Sequence, residues 1–179
     1  MIPNFLSIFR MIAFLPVIIL FLTEFYLSSF ILFSFAAWSD FLDGYLARKY
    51  NLTSNLGSLL DLVADKILVT SILVFFVFQT GDFYLFILSL LIILREIAIS
   101  SLRLFLVSNG MDISKLTPDK YGKIKTFIQM FSLSLLLLYP KFGILFFNVI
   151  LIFLLISTFF SLLSFLNYFK IWNSLDLND

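Results

Sequence analysis

Four aspartates lie close together in apolar surroundings: Asp40 and Asp43 three residues apart, Asp61 and Asp65 four apart. On a helix, those spacings put each pair on one face. A short loop between the two segments makes their helices antiparallel, so both pairs sit at similar depth. Four carboxylates facing one another repel strongly, and without a partner some would have to stay protonated. A divalent cation removes that penalty. Oxygen donors alone suit Mg²⁺, Mn²⁺ or Ca²⁺. The chain has no Cys and no His. This excludes thiol nucleophiles, disulfides, imidazole bases and the metal sites built on those side chains. Any catalysis must use carboxylates, Lys, Arg, hydroxyls or a metal held by oxygen.

Small residues accompany the acids. Ala36, Gly44 and Ala47 share the face of Asp40, while Gly57 and Ala64 share that of Asp61 and Asp65. Such residues also let membrane helices approach closely, but beside four acids they read as the lining of a cavity. Arg48, one turn beyond Gly44, is placed to anchor a phosphate at the membrane surface. Its neighbour Lys49 reads as a plain topological charge.

The elements that must position these groups are membrane helices. Of 179 residues, 61% are hydrophobic and 13% charged, and the mean hydropathy is +1.08. Soluble domains carry roughly a quarter charged residues. Twenty-five phenylalanines cannot all hide in a soluble core of this size. A bilayer core takes roughly 20 apolar residues per helix. Six such stretches fit, at 5–26, 29–49, 57–79, 83–108, 121–139 and 143–169. The expected fold is therefore an all-α polytopic membrane protein with six transmembrane helices. The first break is placed near Leu27-Ser28-Ser29. The others fall at Lys49-Tyr50-Asn51 through Gly57, Thr80-Gly81-Asp82, Asn109-Gly110 and Pro140-Lys141.

Every break is short, so residues 1–179 read as a single domain, and no internal repeat or low-complexity tract is visible. Pro3, Asn4 and Arg10 interrupt the pattern of a cleaved leader. The net charge of +1 gives no electrostatic footprint for nucleic acid. Arg10, Arg48, Lys49, Lys115, Lys120, Lys123, Lys125 and Lys170 gather on one side, against Lys141 on the other. The positive-inside rule then puts both termini and the 48–56 loop in the cytoplasm.

The spacing Asp40-x2-Asp43-Gly44-x2-Ala47-Arg48-x8-Gly57-x3-Asp61-x3-Asp65 resembles the signature of the CDP-alcohol phosphatidyltransferases at every fixed position. Eight such residues coincide by chance on the order of 10⁻¹¹ per start position. Pro3-Asn4-x-Leu6-Ser7-x2-Arg10, followed by Pro16, resembles the opening of the bacterial phosphatidylglycerophosphate synthases, where Thr is commoner than Ser7. Arg95-Glu96-x3-Ser100-x2-Arg103 and Tyr121-Gly122-Lys123-Ile124-Lys125-Thr126 resemble two further segments of that subfamily. Together these cover most of the chain through the fifth helix. The sixth helix and the tail carry only composition.

The resemblance implies transfer of a phosphatidyl group from CDP-diacylglycerol to glycerol 3-phosphate, giving phosphatidylglycerophosphate and CMP. It implies that Asp40, Asp43 and Asp61, assisted by Asp65, ligate two Mg²⁺ or Mn²⁺ ions. Asp65 would also be the general base for the incoming hydroxyl. Gly44, Ala47, Arg48 and Gly57 would shape the CDP site, and Asn4, Ser7 and Arg10 would donate to its phosphates, with helix capping by Asn4 or Ser7 as the other reading. It further implies a homodimer in a bacterial cytoplasmic membrane, with the active site facing the cytoplasm.

Glycerol 3-phosphate is a dianion and must meet fixed cations. Arg95 lies in an apolar segment, where an arginine costs several kcal/mol unless paired or wet. Arg103 follows eight residues on, while Lys123 and Lys125 enter the fifth helix from the cytoplasmic side. These four are the expected acceptor-phosphate group. The other reading of Arg95 is an ion pair with an acid, and Glu96 reads as a buttress for such a cation. Rival acceptors are inositol phosphate, serine or phosphatidylglycerol. A cation transporter would instead spread acids along a path through the membrane, and here they share one depth. A non-catalytic scaffold leaves the cost of four clustered carboxylates unexplained.

Overall fold

In a computed structural model, the described backbone covers residues 2–49, 55–108 and 120–176. Side chains are described for 7–39, 63–102, 104–105 and 120–167. Among these residues the fold is all helical: α1 (Ile2–Leu22), α2 (Tyr26–Lys49), α3 (Asn55–Thr80), α4 (Phe83–Ser108), α5 (Lys120–Leu136), the single turn α6 (Tyr139–Phe142) and α7 (Ile144–Asp176). The six long helices follow the six expected apolar stretches. Val63–Thr80, Phe83–Leu102 and Ile144–Asn167 are long and apolar enough to cross a membrane, and Ser7–Leu22 and Tyr26–Ser39 are shorter apolar helices.

The first break lies earlier than expected. It falls at Thr23–Phe25, not at Leu27-Ser28-Ser29. Glu24 takes the turn with φ 65°, and the Thr23, Glu24 and Phe25 amides still donate to the carbonyls of Ile19, Phe21 and Leu20. Ser29 lies inside α2, where its buried hydroxyl donates to the Val17 carbonyl at 2.8 Å. The serine that looked like a break is a contact between two helices. At the other end, Pro140 opens α6 and Gly143 closes it with φ 79°, a conformation glycine reaches without steric cost. Helix α7 then runs to Asp176, past the expected end at 169.

The chain groups into two compact units. The first holds Met1–Gly81 and Met130–Ile150, the second Asp82–Gln129 and Leu151–Asp179. In the first unit, α1 packs on both α2 and α3. Phe9 meets Phe35 at 6.2 Å and Phe21 meets Tyr26 at 5.2 Å, so α1 and α2 run antiparallel. Phe21 also meets Phe75 at 5.5 Å and Phe76 at 5.0 Å, edge to face. Tyr139 joins this cluster through Phe21, Phe76 and Phe147. Each such aromatic pair contributes about 0.5–1.5 kcal/mol beyond the area it buries, so the cluster pins the register of the unit at one end.

The helices are inverted relative to a soluble protein. Along α1, Ile8, Ile12, Leu15, Ile19 and Leu22 are exposed, while Ser7, Arg10, Ala13, Val17 and Phe21 are buried. Along α7, Leu155, Phe159, Leu162 and Leu166 face out, while Ser157, Ser161 and Ser164 are buried. An apolar exterior around a partly polar interior suits a lipid solvent, which satisfies no backbone or side-chain hydrogen bond.

Candidate active site

The acid pairs occupy facing ends of two consecutive helices. Asp40 and Asp43 lie in the last three turns of α2, and Asp61 and Asp65 in the first three turns of α3. The connecting residues 50–54 lie outside the described backbone, as do 109–119 with Lys115. The side chains of Asn4, Asp40, Asp43, Gly44, Ala47, Arg48, Gly57, Asp61 and Arg103 lie outside the described residues, and only their helical positions are stated. Asp65 is described: it is half-buried, and its Oδ1 lies in the interior.

Helix register places α1 against these acids. Arg10 lies three turns before Phe21, and Asp65 three turns before Phe76. Three turns return a helix to the same face. Because Phe21 touches Phe76, Arg10 and Asp65 lie at one height along the α1–α3 interface. Ser7 comes level with Asp61 by the same register, from the Phe21–Phe75 contact. The antiparallel register with α2 brings Asp40 to the height of Asn4 to Ser7. Ser7 is buried and Arg10 is 0% exposed. A guanidinium removed from solvent in this way needs anionic or polar company. The expected grouping of Asn4, Ser7 and Arg10 with the acids is thus a matter of matched helix positions.

The donor set fits a hard cation. Carboxylate oxygens dominate, and the chain offers no imidazole or thiolate to compete for a softer metal. Asp40, Asp43, Asp61 and Asp65 are the residues that would hold it.

The second unit holds a separate charged cluster. Arg95 Nη1 donates to Glu96 Oε1 at 3.1 Å, and Lys125 Nζ donates to the same oxygen. Arg95 Nε donates to the main-chain carbonyl of Ser161 at 3.0 Å. The Ser157 hydroxyl donates to the Lys125 carbonyl at 3.2 Å. The side chains of Arg95, Glu96 and Lys125 are 9%, 19% and 7% exposed. Among the described residues, these two cations share one carboxylate oxygen.

Of the expected acceptor-phosphate residues, Arg95 and Lys125 are therefore together and Lys123 is exposed, while Arg103 has only its position on α4. Glu96 is the buttress expected for a cation, and it serves two. Sequence reasoning missed the part of α7. The serine spacing Ser157-x3-Ser161-x2-Ser164 inside an apolar run was the available signal, as was Gln129 one turn beyond Lys125.

Among the described residues, the helical positions of the acid pairs lie at the height of buried Arg10 in an all-helical fold. A family model for CDP-alcohol phosphatidyltransferase matches residues 1–164, and the chain belongs to that family. The chain is 38% identical over 179 residues to the CDP-diacylglycerol–glycerol-3-phosphate 3-phosphatidyltransferase of Rickettsia felis, covering 94% of this chain and 93% of that one. It is 38% identical over 181 residues to the protein of the same name from Wigglesworthia glossinidia brevipalpis, covering 99% and 98%. The Bacillus subtilis protein of that name is 38% identical over 153 residues, covering 84% and 76%.

Proposed function

We propose that the chain transfers the phosphatidyl group of CDP-diacylglycerol to glycerol 3-phosphate, forming phosphatidylglycerophosphate and CMP. The observation that carries this reading is the helix register that sets buried Arg10 and Ser7 at the height of the α2–α3 acids. It is supported by family membership and by the names of relatives that match along most of their length. An acceptor carrying a phosphate monoester is favoured over serine by the two cations, Arg95 and Lys125, gathered at one oxygen of Glu96.

Asp40, Asp43, Asp61 and Asp65 would hold two Mg²⁺ or Mn²⁺ ions. Once bound, these would neutralise the donor's diphosphate and the departing CMP phosphate. Asn4, Ser7, Arg10 and Arg48 donate hydrogen bonds to the diphosphate oxygens, and Gly44, Ala47 and Gly57 leave room for the CDP group. Arg95, Arg103, Lys123 and Lys125 hold the phosphate of the acceptor. Asp65 takes the proton of the acceptor's free hydroxyl as that oxygen bonds to the lipid-side phosphorus. The bond from phosphorus to the CMP oxygen breaks, and CMP leaves with the electron pair.

The chain acts as one catalytic domain with six membrane spans and both termini in the cytoplasm, because Lys and Arg concentrate at that face. It works as a homodimer in a bacterial cytoplasmic membrane, the active site open to the cytoplasm. The test is a purified assay of CMP release from CDP-diacylglycerol, with Mg²⁺ or Mn²⁺ and a panel of alcohols. Release with glycerol 3-phosphate is expected. Preference for serine, inositol phosphate or phosphatidylglycerol would replace the acceptor.

A further inference from the structure

Hydroxyls inside the described helices mostly turn back on their own helix, as serine and threonine in membrane segments do. Ser100 donates to the Glu96 carbonyl at 2.6 Å, Ser134 to that of Phe131 at 2.7 Å and Thr158 to that of Leu154 at 2.8 Å. Ser157 does otherwise. It is 0% exposed on α7, and its hydroxyl crosses to α5, donating to the Lys125 carbonyl at 3.2 Å.

Lys125 is thus held from two sides. Its carbonyl takes the bond from α7, and its ammonium donates to Glu96 Oε1 on α4. Four residues on, about 6 Å along the α7 axis, the Ser161 carbonyl accepts from Arg95 Nε at 3.0 Å. A short stretch of α7 therefore touches both residues that meet at Glu96, Lys125 through a hydroxyl and Arg95 through the main chain. All of them lie in the second compact unit.

The bond from Ser157 constrains geometry more than it supports the fold. The Lys125 carbonyl has a second lone pair beyond the one its own helix uses, so losing the hydroxyl strands no buried acceptor. Alanine is also the better helix former at that position. What the hydroxyl fixes is the rotation and height of α5 against α7 at the turn that carries Lys125. A lysine side chain is a flexible four-carbon stem, so where its ammonium stands depends on where its main chain is anchored. Groups held in place beforehand lose less freedom when a ligand arrives.

We infer that Ser157 is a positioning residue for Lys125, acting through the main chain of α5 without touching substrate. This rests on the reading above, in which Arg95 and Lys125 hold the phosphate of glycerol 3-phosphate. The loss of the hydroxyl should then be felt by the acceptor alone. Ser157→Ala should raise the KM for glycerol 3-phosphate about three- to tenfold, the range of one neutral hydrogen bond, with kcat and the KM for CDP-diacylglycerol within about twofold of wild type. Thr158→Val removes the neighbouring hydroxyl, whose bond stays within α7, and should leave all three values as they are. In a Lys125→Met background, Ser157→Ala should change the acceptor's KM no further, because the group being positioned is gone.

An acceptor KM unchanged by Ser157→Ala overturns the inference. So does an equal rise from Thr158→Val, a loss of turnover or of donor affinity alongside, full additivity with Lys125→Met, or a Ser157→Ala chain that fails to fold. Each of these would mean that the bond serves helix packing alone. If Lys125→Met no longer saturates, the comparison of Ser157→Ala with Thr158→Val decides. A Lys125→Met enzyme with a normal acceptor KM, or a wild type that releases no CMP with glycerol 3-phosphate, overturns the underlying reading of the site. That failure is distinct from a Lys125→Met enzyme that has lost acceptor affinity beside a Ser157→Ala enzyme that has kept it.

Discussion

Arg95 on α4 and Lys125 on α5 share one acceptor atom, Oε1 of Glu96. The oxygen cross-links two helices, and the Ser161 carbonyl ties α7 to Arg95. A carboxylate placed there has two effects. It offsets part of the cost of burying two cations, and it fixes where they stand.

Removing Glu96 alone should therefore be harsher than removing the whole cluster. Glu96→Leu leaves two buried cations facing each other, a loss of about 3–5 kcal/mol. The triple variant Arg95→Met, Glu96→Leu, Lys125→Met should regain most of that stability, yet have no measurable glycerol 3-phosphate saturation. Thermal unfolding in detergent, read beside CMP release, separates the two outcomes. A triple variant as unstable as Glu96→Leu would contradict this account.

The acids of α2 and α3 should divide in their effects. Asp65→Asn is expected to lower kcat by about 10²–10⁴, with CDP-diacylglycerol binding largely kept. Asp40→Asn should lose metal and nucleotide binding together. Near-normal turnover in Asp65→Asn would remove it as the base.

Arg10 should act on the lipid donor. Because it is fully buried at the height of Asp65, Arg10→Met removes charge-assisted hydrogen bonds of about 1.5–3 kcal/mol. The KM for CDP-diacylglycerol should rise about ten- to hundredfold, with little change in the KM for the acceptor. Arg10→Lys should restore only part of it, since an ammonium lacks the planar fork. A shift confined to the acceptor's KM would assign Arg10 to the other substrate.

The remaining cations should act on the acceptor. Replacing Arg103 and Lys123 with Gln should raise the KM for glycerol 3-phosphate at least about tenfold, the equivalent of one charged hydrogen bond. The KM for CDP-diacylglycerol should hold. A KM for glycerol 3-phosphate that barely moves would mean that Arg103 and Lys123 do not hold its phosphate.

Activity should vanish with EDTA and return with Mg²⁺ or Mn²⁺, but not with Zn²⁺, which prefers nitrogen and sulfur ligands. Full activity in chelator would rule out the cation-holding role of the four aspartates.

Much of this was legible because polar residues in lipid-facing sequence are rare and costly. The four Asp spacings and the charge at Arg95 stand out for that reason, and the long helices follow from apolar length alone. What escaped was carried by residues that look alike in sequence. Ser28 and Ser29 read as a turn, yet Ser29 bonds the Val17 carbonyl. The true turn uses Glu24 in a left-handed conformation, which no composition rule favours. The part of α7 was hidden because a main-chain carbonyl, that of Ser161, does the bonding. Carbonyls have no letter code.

Large apolar side chains are exposed along α1, α4 and α7. In a lipid solvent such side chains would meet acyl chains, which adapt to shape, so exchanging one large apolar residue for another there would disturb few fixed neighbours. Drift in base composition can be absorbed at these exposed positions, while the buried serines tolerate a change of size less well. A gene pushed toward phenylalanine codons could thus fill its periphery with aromatic rings and leave the chemistry of the interior untouched.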